Sequence, residues 1–409
     1  MSLSDGCEVD VVSGGDDLRN GLPAEILSER SGRWVVSPRT TEELAAAACH
    51  ASARKLAIEI AGAGTKSGWG NPVVADLVLE TIRLNRVVEH PWQDLTCTVQ
   101  AGCTWSELQR TLAVHKQFVA LDPLWPERAT VGGIVATNDS GGLRHRYGSL
   151  RDLVLGMTLV LADGTIARTG GKVVKNVAGY DLHKLMTGAF GTLGVIAEVT
   201  FRLHPMPLHT QSFSVVASHA SELASLIAAI RSGHLLSEGL QVRGDSKGFT
   251  LDIQLNAHPD AKQSELLAEM IRSHRLSLID AESHVWHARE LLFAKEESFT
   301  LKATMLPASV CTIADYLARC GARSVIQANG IAFIEMPAPD HNSVMHIERL
   351  EDMVEKEGGA ITILKNPVSL KHDLDEILNK AATLPLMREI KRQFDPQRIL
   401  NPGRFVGGI

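Results

Sequence analysis

Glycine is spread so unevenly along this chain that it sets the first limit on the fold. Thirteen of the 65 residues from 130 to 194 are glycine, and residues 62–70, GAGTKSGWG, hold four in nine, against 34 in 409 overall. Glycine permits positive φ and close approach of backbone to a ligand, at an entropic cost. Two such clusters far apart in sequence imply several loops wrapped round one ligand. After residue 208 the density falls, so His204-Pro205-Met206-Pro207 marks a domain boundary.

Around the glycine blocks the pattern alternates between helix and strand. Thr40 with Glu43 and Thr104 with Glu107 read as capping boxes. Leu44, Ala47, Ala48 and Ala51, then Trp105, Leu108 and Leu112, follow at helical spacing. Strands are read at 34–36, 56–60, 95–100 and 195–203. Asp163-Gly164, between apolar runs, is a two-residue hairpin signal. From 209 the pattern restarts, with strands at 213–217, 249–255, 324–327, 331–336 and 361–364 and helical faces between them. That restart predicts an antiparallel sheet with helices on one side. The expected class is α+β: an N-terminal extension (1–29), a glycine-rich ligand-binding domain (30–208), an α+β cap domain (209–380), and a C-terminal segment (381–409) returning to the first domain.

Three blocks carry candidate chemistry. The first, Gly62-Ala63-Gly64-Thr65-Lys66-Ser67, follows a strand as a phosphate loop should. It fits neither common pattern, since Ser67 replaces the third glycine of Gly-x-Gly-x-x-Gly and Thr65 the glycine before a Walker lysine. Its successive N–H groups still form an anion nest, to which Thr65, Ser67 and Lys66 add hydroxyls and charge; a tight surface turn is the competing reading. The second block runs from Thr130 to Gly156. Gly132, Gly133, Gly141 and Gly148 alternate there with Thr130, Thr137, Asn138, Ser140 and Tyr147, groups suited to phosphate and ribitol hydroxyls. Arg144, Arg146 and Arg151 neutralise phosphate, orient a carboxylate, or pair with Asp139 or Asp152. In the third block Gly188, Gly191 and Gly194 recur every third residue before a buried strand. A ligand is thereby allowed to lie against the backbone of Val195 and Ile196.

Charge and cysteine count exclude other classes. With 41 basic and 47 acidic residues the formal charge is −6, unlike a nucleic-acid binder. No apolar run approaches the roughly 18 residues that span a bilayer. The polar, acidic start lacks the order of a signal peptide, so a cytoplasmic protein is expected. Cysteines 7, 49, 97, 103, 311 and 320 form no Cys-x-x-Cys and have no cluster-ligating spacing; they are expected as small buried hydrophobes. No metal site is expected. Redox chemistry would then need an organic cofactor or another subunit.

Taken together, the three blocks resemble the FAD-binding proteins of the vanillyl-alcohol oxidase, or p-cresol methylhydroxylase (PCMH), type. The run Lys175-Asn176-Val177-Ala178-Gly179-Tyr180-Asp181-Leu182 resembles the FAD-binding (E) subunits of bacterial glycolate oxidases. Phe394-Asp395-Pro396 and Ile399-Leu400-Asn401-Pro402-Gly403-Arg404 resemble the closing segment of FAD-linked 2-hydroxy-acid oxidases and D-lactate dehydrogenases. The resemblance implies a two-subdomain FAD domain plus cap, with FAD held by the three blocks and by Asn401. It also implies oxidation of a small 2-hydroxy acid, glycolate to glyoxylate. The implied partners are a D-type FAD subunit and an iron–sulfur subunit that takes the electrons, with peripheral attachment to the inner face of the membrane through them. Relatives that attach flavin covalently use a histidine in the first loop. No histidine or cysteine lies between 62 and 70, so non-covalent FAD is expected. Catalytic relatives also carry a His-x-Gly-Asp-Gly-Asn-x-His-like metal segment. The nearest run here, Arg243-Gly244-Asp245, lacks the histidines. A general base is not evident; His183, His287 and His372 qualify by residue type only. The alternatives are a free-standing FAD-dependent dehydrogenase of the D-lactate type and a non-catalytic FAD-bound structural or relay subunit.

Overall fold

The computed structural model describes residues 18–19, 21–171, 180–233, 235–256, 262–295, 298–337, 341–365 and 383–409. The first layer is a four-stranded sheet. The hairpin Leu27–Arg30/Arg33–Val36 lies beside Leu77–Glu80, and that strand beside Ile58–Ala61, the last two pairings parallel. A parallel pairing needs a crossover, and helix Thr41–Arg54 supplies it. The Thr40 hydroxyl accepts from Glu43 N at 3.1 Å. The reciprocal half of that expected capping box is shifted by one residue, because the Glu43 carboxylate takes Arg39 N at 2.7 Å. Leu44, Ala47, Ala48 and Ala51 face the core.

The second layer is a five-stranded antiparallel sheet in the order Val87–Glu89, Thr96–Gln100, Val195–Arg202, Val154–Val160, Ile166–Gly170. The last two strands form the hairpin across Asp163-Gly164, where Gly164 takes φ +86°. Trp105, Leu108 and Leu112 of helix Trp105–Ala113 and Val131, Ile134 and Val135 of helix Val131–Thr137 close this core.

The third layer is an eight-stranded sheet, antiparallel throughout, from Leu278–Asp280 at one edge to Ala360–Lys365 at the other. Helices Ala224–Ser232, Gln263–Ser273, Val310–Arg319 and His341–Glu355 cover one face, burying Phe249, Leu251, Leu301 and Ile334 among others. Two inner strands, Ser237–Asp245 and Phe299–Thr304, were not anticipated from sequence. Side chains alternate across a strand. Phe299, Leu301 and Ala303 therefore enter the helix-covered core, while Thr300 and Lys302 take the opposite face, toward the glycine-rich domain. Val325, Ile331 and Phe333 on that second face pack with Trp69, Leu124 and Phe190 of the glycine-rich domain. The two domains share a buried seam.

After helix Leu384–Phe394 the chain returns to the first layer. Ile58 N donates to Ile399 O at 2.7 Å and Asn401 N to Ile58 O at 2.8 Å. The buried Lys391 ammonium fixes the approach, donating to Thr192 O, Asp395 Oδ2 and Leu400 O at 2.7–2.9 Å. Of the cysteines, 97, 103 and 311 are buried and 320 partly so, but Cys49 is exposed on the outer face of its helix; Cys7 lies outside the described residues. No helix among the described residues is long and apolar enough to cross a membrane.

Candidate functional site

A cleft enclosing about 650 Å³, mouth included, opens where the first two layers meet the C-terminal segment. One wall is the loop Gly62, Ala63, Gly64, Thr65, Lys66 and Ser67, leaving the C-terminal end of strand Ile58–Ala61. A second is the helix start at Thr130, Gly132, Gly133 and Thr137. Gly191, Gly194 and Ile196 form the third, and Asn401 closes the fourth side. Phe190, Ala136 and Thr81 line it too and were not singled out from sequence, as does Arg404 of the closing segment.

The glycines serve different ends. Gly64 takes φ +71°, and a Cβ there would meet nothing within 4 Å; the loop leaves space on its cleft side. Any side chain at Gly62 would instead strike Thr130 Oγ1, so this glycine lets the loop lie on the helix. Gly191, at φ +72°, would place a Cβ 2.8 Å from Asn401 Nδ2. Among the described residues no acceptor is found for the N–H groups of Ala63, Gly64, Thr65 and Lys66. Unpaired N–H groups in a row are an anion nest. A diphosphate-bearing ligand fits this cradle.

Several side chains are occupied otherwise than the sequence suggests. The Ser67 hydroxyl donates to Gly64 O at 2.9 Å and the Thr137 hydroxyl to Gly133 O at 2.8 Å. Thr130 is the N-cap of its helix, accepting from Gly133 N. Lys66, expected to add charge toward the phosphate, is buried instead. Its ammonium stands 3.3 Å from Asp139 Oδ2 and within 6 Å of the Trp69 and Trp125 rings. Its carbonyl accepts from Arg404 Nη2 at 2.8 Å.

Other candidates lie outside the cleft walls. Val195 points away into the core of the first layer. Gly188, at φ +87°, abuts Asn138, and Asn138 ends helix Val131–Thr137 in the left-handed region. The Asn138 Oδ1 and Ser140 Oγ atoms are buried without a partner among the described residues. Gly141 N donates to Asp122 Oδ1 at 3.1 Å, and a side chain at Gly141 would strike that carboxylate. Tyr147 packs on Phe118 and His204 and lines a separate depression. Gly148, at φ +87°, precedes the Ser149–Asp152 cap. Lys172–Gly179 falls outside the described residues, as does His372. His183 is buried, with Nδ1 unpaired among the described residues, and burial lowers its pKa. His287 is two-thirds exposed beside Glu290. Arg243 makes a two-point pair with Asp252 at 2.6 and 2.8 Å, and no group of three or more His, Cys, Asp or Glu converges among the described residues.

Against the cleft, the seam gathers cations. Lys302 donates to Asn138 O at 2.8 Å. Arg289 donates to Ser140 O at 2.8 Å, to Asp139 Oδ1 at 3.2 Å and to Asp122 O. Gln327 Nε2 also reaches Ser140 O, at 2.9 Å. Burial pushes the Lys302 ammonium down to about 8; Asp139 opposes this, while Arg144, Arg289 and Arg151 reinforce it. Burial alone would raise the Asp139 carboxyl, but Lys66 and Arg289 on its two sides hold it below the ordinary value. Sequence reading missed Lys302 because no strand was read at 299–304, and nothing in Phe-Thr-Leu-Lys-Ala-Thr marks its polar face as the buried seam.

Residues 33–170 match the FAD binding domain family, and residues 371–405 match the C-terminal domain of FAD linked oxidases. These matches identify an FAD-binding domain with a PCMH-type fold, and FAD is the cofactor. Among curated relatives it is similar to glycolate oxidase subunit GlcD of Bacillus subtilis, 34% identical over 209 residues. That match covers 51% of this chain and 44% of that protein. It is also similar to D-lactate dehydrogenase of Archaeoglobus fulgidus, 27% identical over 412 residues and 91% of each chain. The chain thus spans less than half the length of the Bacillus relative. Two solved structures share the fold: an alkyldihydroxyacetonephosphate synthase (TM-score 0.68, 17% identity, 95% of this chain and 85% of that one) and an Acremonium strictum glucooligosaccharide oxidase (TM-score 0.68, 16% identity, 92% and 91%).

Proposed function

We propose that this chain is an FAD-dependent oxidoreductase acting on a small 2-hydroxy acid. We further propose that it works as the FAD-binding subunit of a glycolate-oxidase-type complex, turning glycolate into glyoxylate and passing electrons to an iron–sulfur partner. The observation that carries the reading is Lys302, which donates to Asn138 O at 2.8 Å, one residue past the cleft-lining Thr137, with Arg144, Arg151 and Arg289 near enough to lower its pKa. FAD supplies the two-electron acceptor when bound. Loop 62–67 and Asn401 are the proposed holders of the cofactor, which is non-covalent; the cleft-lining residues include no histidine or cysteine. Arg144 and Arg151 hold the carboxylate of the substrate. Lys302, already near neutrality, accepts the proton of the substrate hydroxyl. The cap sheet, packed over Trp69 and Phe190, keeps water from the reacting atoms.

Similarity to the Bacillus glycolate oxidase subunit supports the complex. Similarity to the Archaeoglobus D-lactate dehydrogenase, which extends over nine-tenths of both chains, supports a second reading, a free-standing dehydrogenase. Reconstitution separates the two. The purified chain is assayed for acceptor reduction with glycolate and with D-lactate, alone and with D-type and iron–sulfur partners. Turnover that needs the partners is expected. Equal turnover by the chain alone would replace the complex with the free-standing enzyme.

A further inference from the structure

Lys66 sits in the loop expected to hold phosphate, yet its ammonium is turned into the protein. It meets Asp139 at 3.3 Å, lies 5.6 and 5.5 Å from the Trp69 and Trp125 ring centroids, and donates to Leu124 O at 3.4 Å. Asp139 is fully buried, and its other oxygen meets Arg289 of the cap at 3.2 Å. Arg289 is itself buried, over the Phe333 ring, and reaches back to the carbonyls of Asp122 and Ser140. The next cap residue, Glu290, accepts from Trp125 N at 3.4 Å, and Phe293 of the same segment stacks on Trp69 at 5.7 Å. One carboxylate thus joins the cofactor loop to the cap. Removing either cation leaves a buried charge half-compensated, which is costly.

We propose that Lys66, Asp139 and Arg289 form a latch between the FAD loop and the cap, so that FAD binding and cap docking strengthen each other. Lys66 is then a positioning residue: it holds the loop in the shape that offers the N–H groups of residues 63–66, and it does not touch phosphate. Coupling between sites is reciprocal. A bound FAD therefore tightens the cap segment 283–293, and loss of the cap arginine loosens FAD. This holds whichever 2-hydroxy acid is the substrate.

The test is the FAD dissociation constant of the full apo chain bearing Lys66→Met, Arg289→Met or both. Each single change should weaken FAD by about 5–150-fold, the range of ordinary site coupling. The double change should cost no more than the worse single one, because both break one latch. Weakening by Lys66→Met alone would overturn the latch and make Lys66 a direct phosphate ligand. Multiplied factors in the double variant, or no weakening in either single, would overturn it as well. Where a variant does not fold, hydrogen exchange of the unmodified chain decides. FAD should slow exchange of the amides of 283–293, and unchanged rates there would contradict the latch.

Discussion

Lys302 and Gly64 show how much a single position decides. A lysine with its pKa near 8 is mostly protonated below that pH and free to accept a proton above it. Flavin reduction at saturating substrate should therefore rise as pH climbs through about 8 and level off above it. Lys302→Met should remove that rise and slow the step by about 10²–10⁴-fold, the usual contribution of a positioned base. Rapid-mixing measurements across pH check both. At Gly64 the backbone stands at φ +71° with open space where a side chain would point. Gly64→Val should lose FAD, because the left-handed backbone costs a non-glycine residue about 1–2 kcal/mol and the valine occupies the cofactor's room. Far-UV circular dichroism should stay nearly unchanged while flavin absorbance disappears from the purified protein. The glycine signal was readable from sequence since glycine advertises its backbone. The lysine was not, because burial of one face of a sheet is a tertiary fact.

Among the elements, the C-terminal segment is the one that closes the cleft. Asn401 Oδ1 accepts from Ile60 N at 2.8 Å, and its Nδ2 donates to Phe190 O at 2.7 Å. One buried amide joins the strand before the first loop to the turn before the last glycines. Asn401→Ala leaves an N–H and a carbonyl stranded, at about 1–3 kcal/mol for each. Urea unfolding should show a matching loss of stability, and FAD should dissociate faster. Segment 394–404 was recognisable from its own motif and its return to the first domain was expected, but the pairing of Asn401 with Ile60 and Phe190 was not. The same limit explains the unassigned strands Ser237–Asp245 and Phe299–Thr304, where Gln241 and Arg243 bond Asp252 and Lys302 bonds Asn138 O. The local bonds of the cleft hydroxyls were equally invisible in the sequence. Thr130, Thr137 and Ser67 satisfy their own helix or turn first, as short hydroxyl side chains commonly do.

For the whole molecule, the cleft belongs to the glycine-rich domain and the cations to the seam with the cap. The cleft walls offer no histidine or cysteine, so heat or acid denaturation should release FAD into the supernatant; flavin remaining on the precipitated chain would show a covalent bond. In the function proposed above, Lys302 and its arginines carry the first half-reaction in this chain, and the partners carry the electrons away. One measurement tests that division: anaerobic mixing of the isolated, FAD-loaded chain with excess glycolate or D-lactate. Loss of the flavin's visible absorbance, slowed in Lys302→Met, is the expected result. A folded, fully loaded chain whose spectrum no 2-hydroxy acid changes would contradict it and leave the chain a non-catalytic FAD subunit.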